Sequence, residues 1–302
     1  MKKLEGVLIP AVTPFDDSGA LRLDWLRENY ERWNRTDVNG CMALGSNGEY
    51  RALDDEESLA VIKAAGETLS EEKIFMAGIA RESLYQTLCF LRRLQQEKVR
   101  IDYASVLTPC YFKNAMTDEA LIDYFTTVAN ESPYPVVLYC APGFANGVCI
   151  SVEAVKVLAD HPNIVGIKDT SPDMMTQYLQ AVGGREDFAV FSGTLGMTMT
   201  CLAGGGQGGV LSSANYFPEV CARLYQIFRE EGLSAATDFF TQLKGLIKET
   251  GGRAGIAGVK ATMNLMGFHG GVPRKPVLPC SLEEQAAIAA CIDQRKDFIL
   301  GK

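Results

Sequence analysis

The chain of 302 residues carries 29 Lys and Arg against 37 Asp and Glu, a formal net charge of −8 and a pI near 5.0. That balance argues against nucleic acid or an anionic membrane as a partner, and 47% hydrophobic with 22% charged residues is the make-up of an ordinary globular protein. The nine cysteines are scattered without a Cys-x-x-Cys pair, and the only histidines, His161 and His269, lie far apart in sequence. These features predict a reducing, cytoplasmic setting, cysteines in small apolar core positions, and no metal site. The opening stretch MKKLEGVLIPAVTPF is cut by Pro10 and Pro14 and has no signal-like apolar segment. No apolar run approaches the ~20 residues of a membrane span.

In chain order, eight short apolar runs alternate with longer amphipathic segments: GVLIPAV (6–12), GCMALGS (40–46), KIFMAGI (73–79), YASVLTP (103–109), PVVLYCA (135–141), NIVGIKD (163–169), FAVFSGT (188–194) and GGVLSSA (208–214). Runs of this length, bounded by Gly, Pro, Asn or Asp, read as strands buried on both faces. DDEESLAVIKAAGETL (54–69) and TDEALIDYFTTVANE (117–131) have helical period, and Asp118 and Glu119 suit the start of the second helix. Eight such units predict an α/β fold of the (β/α)8, or TIM-barrel, class over residues 1–216. An open doubly wound sheet usually carries a glycine fingerprint after its first strand, but here that strand leads into TPFDDSG (13–19). GGGQGG (204–209) precedes a strand, the wrong context for a dinucleotide, and reads as close packing. Three helix-period segments follow, at 217–232, 233–252 and 282–301, so residues 217–302 are expected to form a helical extension packed on the barrel. FHGGVPRKP (268–276) reads as a solvated loop with two basic residues.

Catalytic groups of such a barrel sit at the carboxyl ends of its strands. Reading those positions singles out Ser46, Asn47, Gly48, Glu49, Thr108, Tyr111, Tyr139, Lys168, Gly193, Thr194, Ser212 and Ser213. Lys168 and Tyr139 end consecutive runs, and neighbouring strands lie about 4.8 Å apart, so both side chains are expected in one cavity. A lysine desolvated there loses proton affinity. The neutral amine attacks a ketone to form a Schiff base, and an adjacent phenol can shuttle the protons. The competing reading is a lysine paired with Asp169 at the rim. GSNG (45–48) offers a glycine-flanked turn able to cradle a carboxylate, or is a plain strand-to-helix turn.

The motifs GSNGE, LTPCYF, VVLYCAP, GIKDTSPD and GGVLSSAN stand in an order that resembles the dihydrodipicolinate synthase/N-acetylneuraminate lyase superfamily of Schiff-base lyases, over nearly the whole chain. The resemblance implies a barrel with a C-terminal helical bundle, a homotetramer, and an imine with pyruvate or another small 2-oxo acid, with no cofactor. It implies Lys168 as the imine lysine, Tyr139 as the proton relay, and Tyr111 as a residue lent to a neighbouring subunit's site. Ser46, Asn47 and Gly48 would receive the carboxylate, with Thr170, Gly193, Leu211 and Ser213 around the substrate. Two departures narrow the substrate. YCAPGFANG (139–147) has no arginine where the synthases place one to hold an aldehyde's carboxylate, and SGTLGM (192–197) lacks the acidic residues of the sugar-acid lyases. The Ser-Asn turn, Thr-Pro-Cys-Tyr, HPNIVG and GIAGVK are similar to the 4-hydroxy-2-oxoglutarate aldolases. The expected reaction is cleavage of a 4-hydroxy-2-oxo acid to pyruvate and an aldehyde. The alternatives are 4-hydroxy-tetrahydrodipicolinate synthesis from pyruvate and aspartate semialdehyde, and a non-catalytic 2-oxo acid sensor.

Overall fold

A computed structural model describes residues 2–301 of the chain. Eight strands close into one barrel in chain order, so the expected TIM-barrel class holds. The elements are β1 (Gly6–Pro10), α1 (Leu23–Trp33), β2 (Gly40–Ala43), α2 (Asp55–Thr68), β3 (Ile74–Gly78), α3 (Leu84–Gln96), β4 (Tyr103–Leu107), α4 (Asp118–Glu131), β5 (Val136–Cys140) and α5 (Val152–Ala159). They continue with β6 (Ile164–Asp169), α6 (Met175–Ala181), β7 (Ala189–Ser192), α7 (Leu195–Ala203), β8 (Gly208–Val210), α8 (Pro218–Glu231), α9 (Leu233–Glu249), α10 (Gly255–Leu265), α11 (Leu282–Gln294) and α12 (Lys296–Leu300). All eight strands lie inside the apolar runs read from the sequence. Among the described residues no helix is long and apolar enough to cross a membrane.

Local chemistry sets the helix starts. Asp54 accepts the Glu57 amide while the Glu57 carboxylate accepts the Asp54 amide, a reciprocal cap that opens α2. Thr117 caps α4 through the Ala120 amide, and Ser281 with Glu284 repeats the reciprocal cap at α11. Helix α10 was not expected. It begins at Gly255, in the left-handed region at φ +55°, and Ala257 through Met263 are all buried. A helix buried all round shows no amphipathic period, which is why the sequence concealed it. A methyl added at Gly258 would stand 2.9 Å from the Gly251 carbonyl, so a close backbone approach requires glycine there. GGGQGG does pack closely: a methyl at Gly206 would meet Cys201 Sγ at 2.3 Å.

By compactness the chain groups into two units. One takes the residues through Glu5 and Ile74–Val210; the other takes Gly6–Lys73 and the chain from Leu211 onward. Within the first, β3 to β8 run parallel with Leu107 opposite Tyr139, Tyr139 opposite Lys168, Lys168 opposite Phe191 and Phe191 opposite Gly208. Within the second, Leu8 lies opposite Gly40 and Pro10 opposite Met42, the Leu211 amide donates to the Leu8 carbonyl at 3.0 Å, and α8 packs against β1. In the same unit α10 and α11 share a small core of Ala257, Ala261, Cys280 and Ile288.

Candidate active site

In the first unit, register brings the expected pair together. Tyr139 and Lys168 are direct partners on β5 and β6, and partnered residues of adjacent strands share a face. Both are buried, at 4% and 3% exposure, and the Lys168 Nζ lies 4.0 Å from the centroid of the Tyr139 ring. Burial brings the Lys168 amine down to about 7. The face of the phenol ring favours a cation, so contact with it opposes burial; desolvation of a group this deep dominates. At neutral pH a large share of Lys168 is therefore nucleophilic amine.

Asp169 follows Lys168 along the strand and so turns to the opposite face. Its Oδ1 accepts the Ser171 amide at 2.9 Å, and burial raises its carboxyl above the usual range. The rim pairing of Lys168 with Asp169 gives way to this alternation. Thr170 donates its amide to the Cys140 carbonyl at 2.9 Å, which ties the end of β6 to the end of β5. Gly193 donates to the Asp169 carbonyl at 2.6 Å, and a methyl there would lie 2.2 Å from Thr170 Cγ2. Glycine is what lets β7 end against β6 beside the lysine. Tyr111 is 75% exposed within the single chain and meets Phe112 edge to face, at 4.9 Å between ring centroids. Cys110 and Tyr111 both donate their amides to Glu82 Oε1, which holds this loop.

In the second unit, Ser46–Gly48 form a single 3-10 turn after β2. The turn closes through Gly48 N–H to Gly45 O at 3.0 Å and Glu49 N–H to Ser46 O at 3.1 Å. Its end is fixed from outside. Thr13 Oγ1 donates to the Gly48 carbonyl at 2.8 Å, and a methyl at Gly48 would stand 3.3 Å from the Ala11 carbonyl. Asn47 Nδ2 donates to Ser212 Oγ. Ser213, named from the sequence for the substrate, instead sets its hydroxyl 3.2 Å from Cys221 Sγ in the packing under α8. Leu211 is fully buried, and its carbonyl accepts the Ala214 amide at 2.9 Å.

A second buried amine supports this turn, and the sequence did not reveal it. Lys260, in the concealed helix α10, lies 2.6 Å from Glu49 Oε1 and donates to the carbonyls of Thr13 at 2.8 Å and Val272 at 2.9 Å. Glu49 is held in the left-handed region at φ +50°, directly after the turn. Burial brings Lys260 down to about 8, against the opposing pull of the Glu49 carboxylate. Arg274, expected to be a solvated loop residue, donates its amide to Glu49 Oε2 at 2.9 Å and forks onto Glu57. Its guanidinium also lies over the Phe15 ring, 4.3 Å from the centroid. The basic loop 268–276 is thus tied into the structure at Arg274. No spacing in the sequence signals this, because the partners are more than 200 positions away.

The sequence model of the dihydrodipicolinate synthetase family matches residues 3–295. A protein of Emericella nidulans named probable 4-hydroxy-2-oxoglutarate aldolase, mitochondrial, is 28% identical over 94% of this chain and 92% of its own length. The 4-hydroxy-tetrahydrodipicolinate synthase of Xanthomonas campestris is 32% identical over 94% and 92%. Among solved structures, the dihydrodipicolinate synthase of Thermotoga maritima superposes with a TM-score of 0.89 at 26% identity, over 98% of this chain and 99% of that one.

Proposed function

This chain belongs to the dihydrodipicolinate synthetase family, a family of pyruvate-dependent lyases and synthases, and from that premise we propose that it is a lysine Schiff-base aldolase cleaving a 4-hydroxy-2-oxo acid to pyruvate and an aldehyde. The observation that carries the reading is the buried Lys168 amine, 4.0 Å from the Tyr139 ring centroid at the paired ends of β5 and β6.

The neutral Lys168 amine attacks the C2 ketone, and Tyr139 relays the protons that let the carbinolamine lose water. The protonated imine withdraws electrons from the C3–C4 bond. C4 leaves as the aldehyde once its hydroxyl gives up a proton, and the remaining enamine is protonated at C3 and hydrolysed to pyruvate. By family resemblance the substrate carboxylate is assigned to the Ser46–Gly48 turn, and Tyr111 to the site of a neighbouring subunit in a homotetramer. Asn47 would orient the carboxylate, while Thr170 and Gly193 shape the ground beside the lysine; Ser213, turned onto Cys221, is left out of the assignment. The relatives named above include both an aldolase and a synthase. What favours the aldolase is the stretch 139–147, which lacks an arginine to hold a second substrate's carboxylate.

Incubation with pyruvate followed by borohydride reduction and intact-mass measurement tests the imine. The expected result is one reduced pyruvate adduct on Lys168, absent from Lys168→Ala; an adduct that survives this substitution overturns the proposal. A panel of 4-hydroxy-2-oxo acids assayed for pyruvate release, run beside a coupled assay of aspartate semialdehyde condensation, separates aldolase from synthase. Adduct formation without turnover in either assay would mark a sensor.

A further inference from the structure

Behind the face that carries Tyr139, β5 turns its last residue, Cys140, to the other side, where it lies opposite Asp169. There Cys140 Sγ lies 3.2 Å from Cys149 Sγ, and both thiols are free. The Tyr178 hydroxyl is 3.5 Å from each sulfur and donates to the Ile150 carbonyl, which places it as a fixed hydrogen-bonding group over the pair. The two cysteines differ in access: Cys140 is fully buried, whereas Cys149 is half-buried. Between them runs the segment 141–148, which leads out of the strand holding Tyr139.

We propose that Cys149 and Cys140 form a peroxide-reactive dithiol, in which Cys149 is oxidised first and Cys140 closes a disulfide across the segment 141–148. The hydrogen bond from the Cys140 thiol outweighs burial and holds the Cys149 thiol down at about 7, while Cys140 is pushed up by its role as donor. Asp169 is the charged group facing the pair and works in the opposite direction on Cys149. The Cys149 thiolate attacks one oxygen of hydrogen peroxide, the O–O bond breaks, and hydroxide leaves behind a sulfenic acid. Cys140 sulfur then attacks Cys149 sulfur, the S–O bond breaks, and water departs with the Cys140 proton. Two thiols are oxidised by two electrons and one peroxide becomes two waters. The sulfurs need only close from 3.2 Å to the roughly 2.0 Å of a bond. Within the segment, Asn146 and Gly147 already stand in the left-handed region, at φ +51° and +76°. The bridge lies on the side of β5 away from Lys168, so the site is distinct from the imine chemistry and its test does not depend on the aldolase reading.

The folded chain is treated with a few equivalents of hydrogen peroxide, alkylated in denaturant, and mapped by peptide mass without reductant. The expected product is a peptide pair holding Cys140 and Cys149 that has lost two hydrogens and resists alkylation, with both thiols restored by dithiothreitol. Cys149→Ser should leave Cys140 open to alkylation, and Cys140→Ser should leave a dimedone-reactive sulfenic acid on Cys149. Full alkylation of both thiols in the oxidised wild-type chain, or mapping of the lost hydrogens to another pair, overturns the proposal. Should Cys140→Ser not fold, the wild-type chain still decides. Bridging no faster in the folded chain than in urea means that the native contact contributes nothing, and the proposal falls.

Discussion

Each compact unit holds one buried lysine set against an aromatic ring, and the two have opposite consequences. Lys260 Nζ is 4.5 Å from the Phe15 ring centroid and Lys168 Nζ is 4.0 Å from that of Tyr139. Both amines are lowered by burial. Lys260 is answered by the Glu49 carboxylate and two carbonyls, so its charge is retained and it fastens a turn. At Lys168 burial brings the amine down to about 7, close to neutrality at physiological pH. Burial lowers both amines, and the Glu49 carboxylate makes the Lys260 amine a tether.

The widest separation is expected in catalysis. Lys168→Ala should lower kcat/KM for pyruvate release on the order of 10⁴-fold or more, since no other group can carry the imine. Loss of less than tenfold would end the comparison. Next comes the tether. Lys260→Met should destabilise the fold by roughly 3–5 kcal/mol in denaturant titration, because Glu49 is left as an uncompensated buried charge. Adding Glu49→Gln should recover part of that loss, whereas simple additivity would show that the pair does not act as one.

Stability should move the other way at the reactive amine. The unfolded amine titrates near 10.5 and the folded one near 7. Between those values the unfolded chain binds more protons, so stability rises with pH across this window, and the full cost of burial applies below it. Lys168→Met should therefore stabilise the chain at pH 7 by roughly 3–4 kcal/mol, shrinking toward pH 10. A gain independent of pH would mean that packing, not charge, is responsible. By the same titration, adduct formation with pyruvate should rise roughly tenfold from pH 6 to pH 8 and then level off. A further substitution sharpens the role of the ring. Tyr139→Phe keeps the aromatic face but removes the hydroxyl, and should lower turnover about 100-fold through the lost proton relay, with stability changed by less than about 1 kcal/mol. Unchanged turnover would reduce Tyr139 to the same packing role as Phe15.

The barrel and the Lys168–Tyr139 pair were legible because both rest on local rules. Strands buried on both faces are continuous apolar runs, and a polar residue ending such a run has few places to go. The alternation that turns Asp169 away from Lys168 is equally local. The Lys260–Glu49 and Arg274–Glu57 contacts, the turning of Ser213 onto Cys221, and the meeting of Cys140 with Cys149 are not written in any period. Helix α10, buried all round, has no polar face to announce it, and its lysine reads as one solvated charge among many.

By itself the sequence determined which segments are strands, that they alternate with helices in number sufficient for closure, and which amine ends a buried strand, because periodicity and strand-end position act over a few residues. Tertiary structure alone decided that the Lys260 amine is tied to a carboxylate, since that depends on Glu49, some 200 positions away, arriving within 3 Å. An ion pair of that kind is created by closure of the fold and has no signature along the chain.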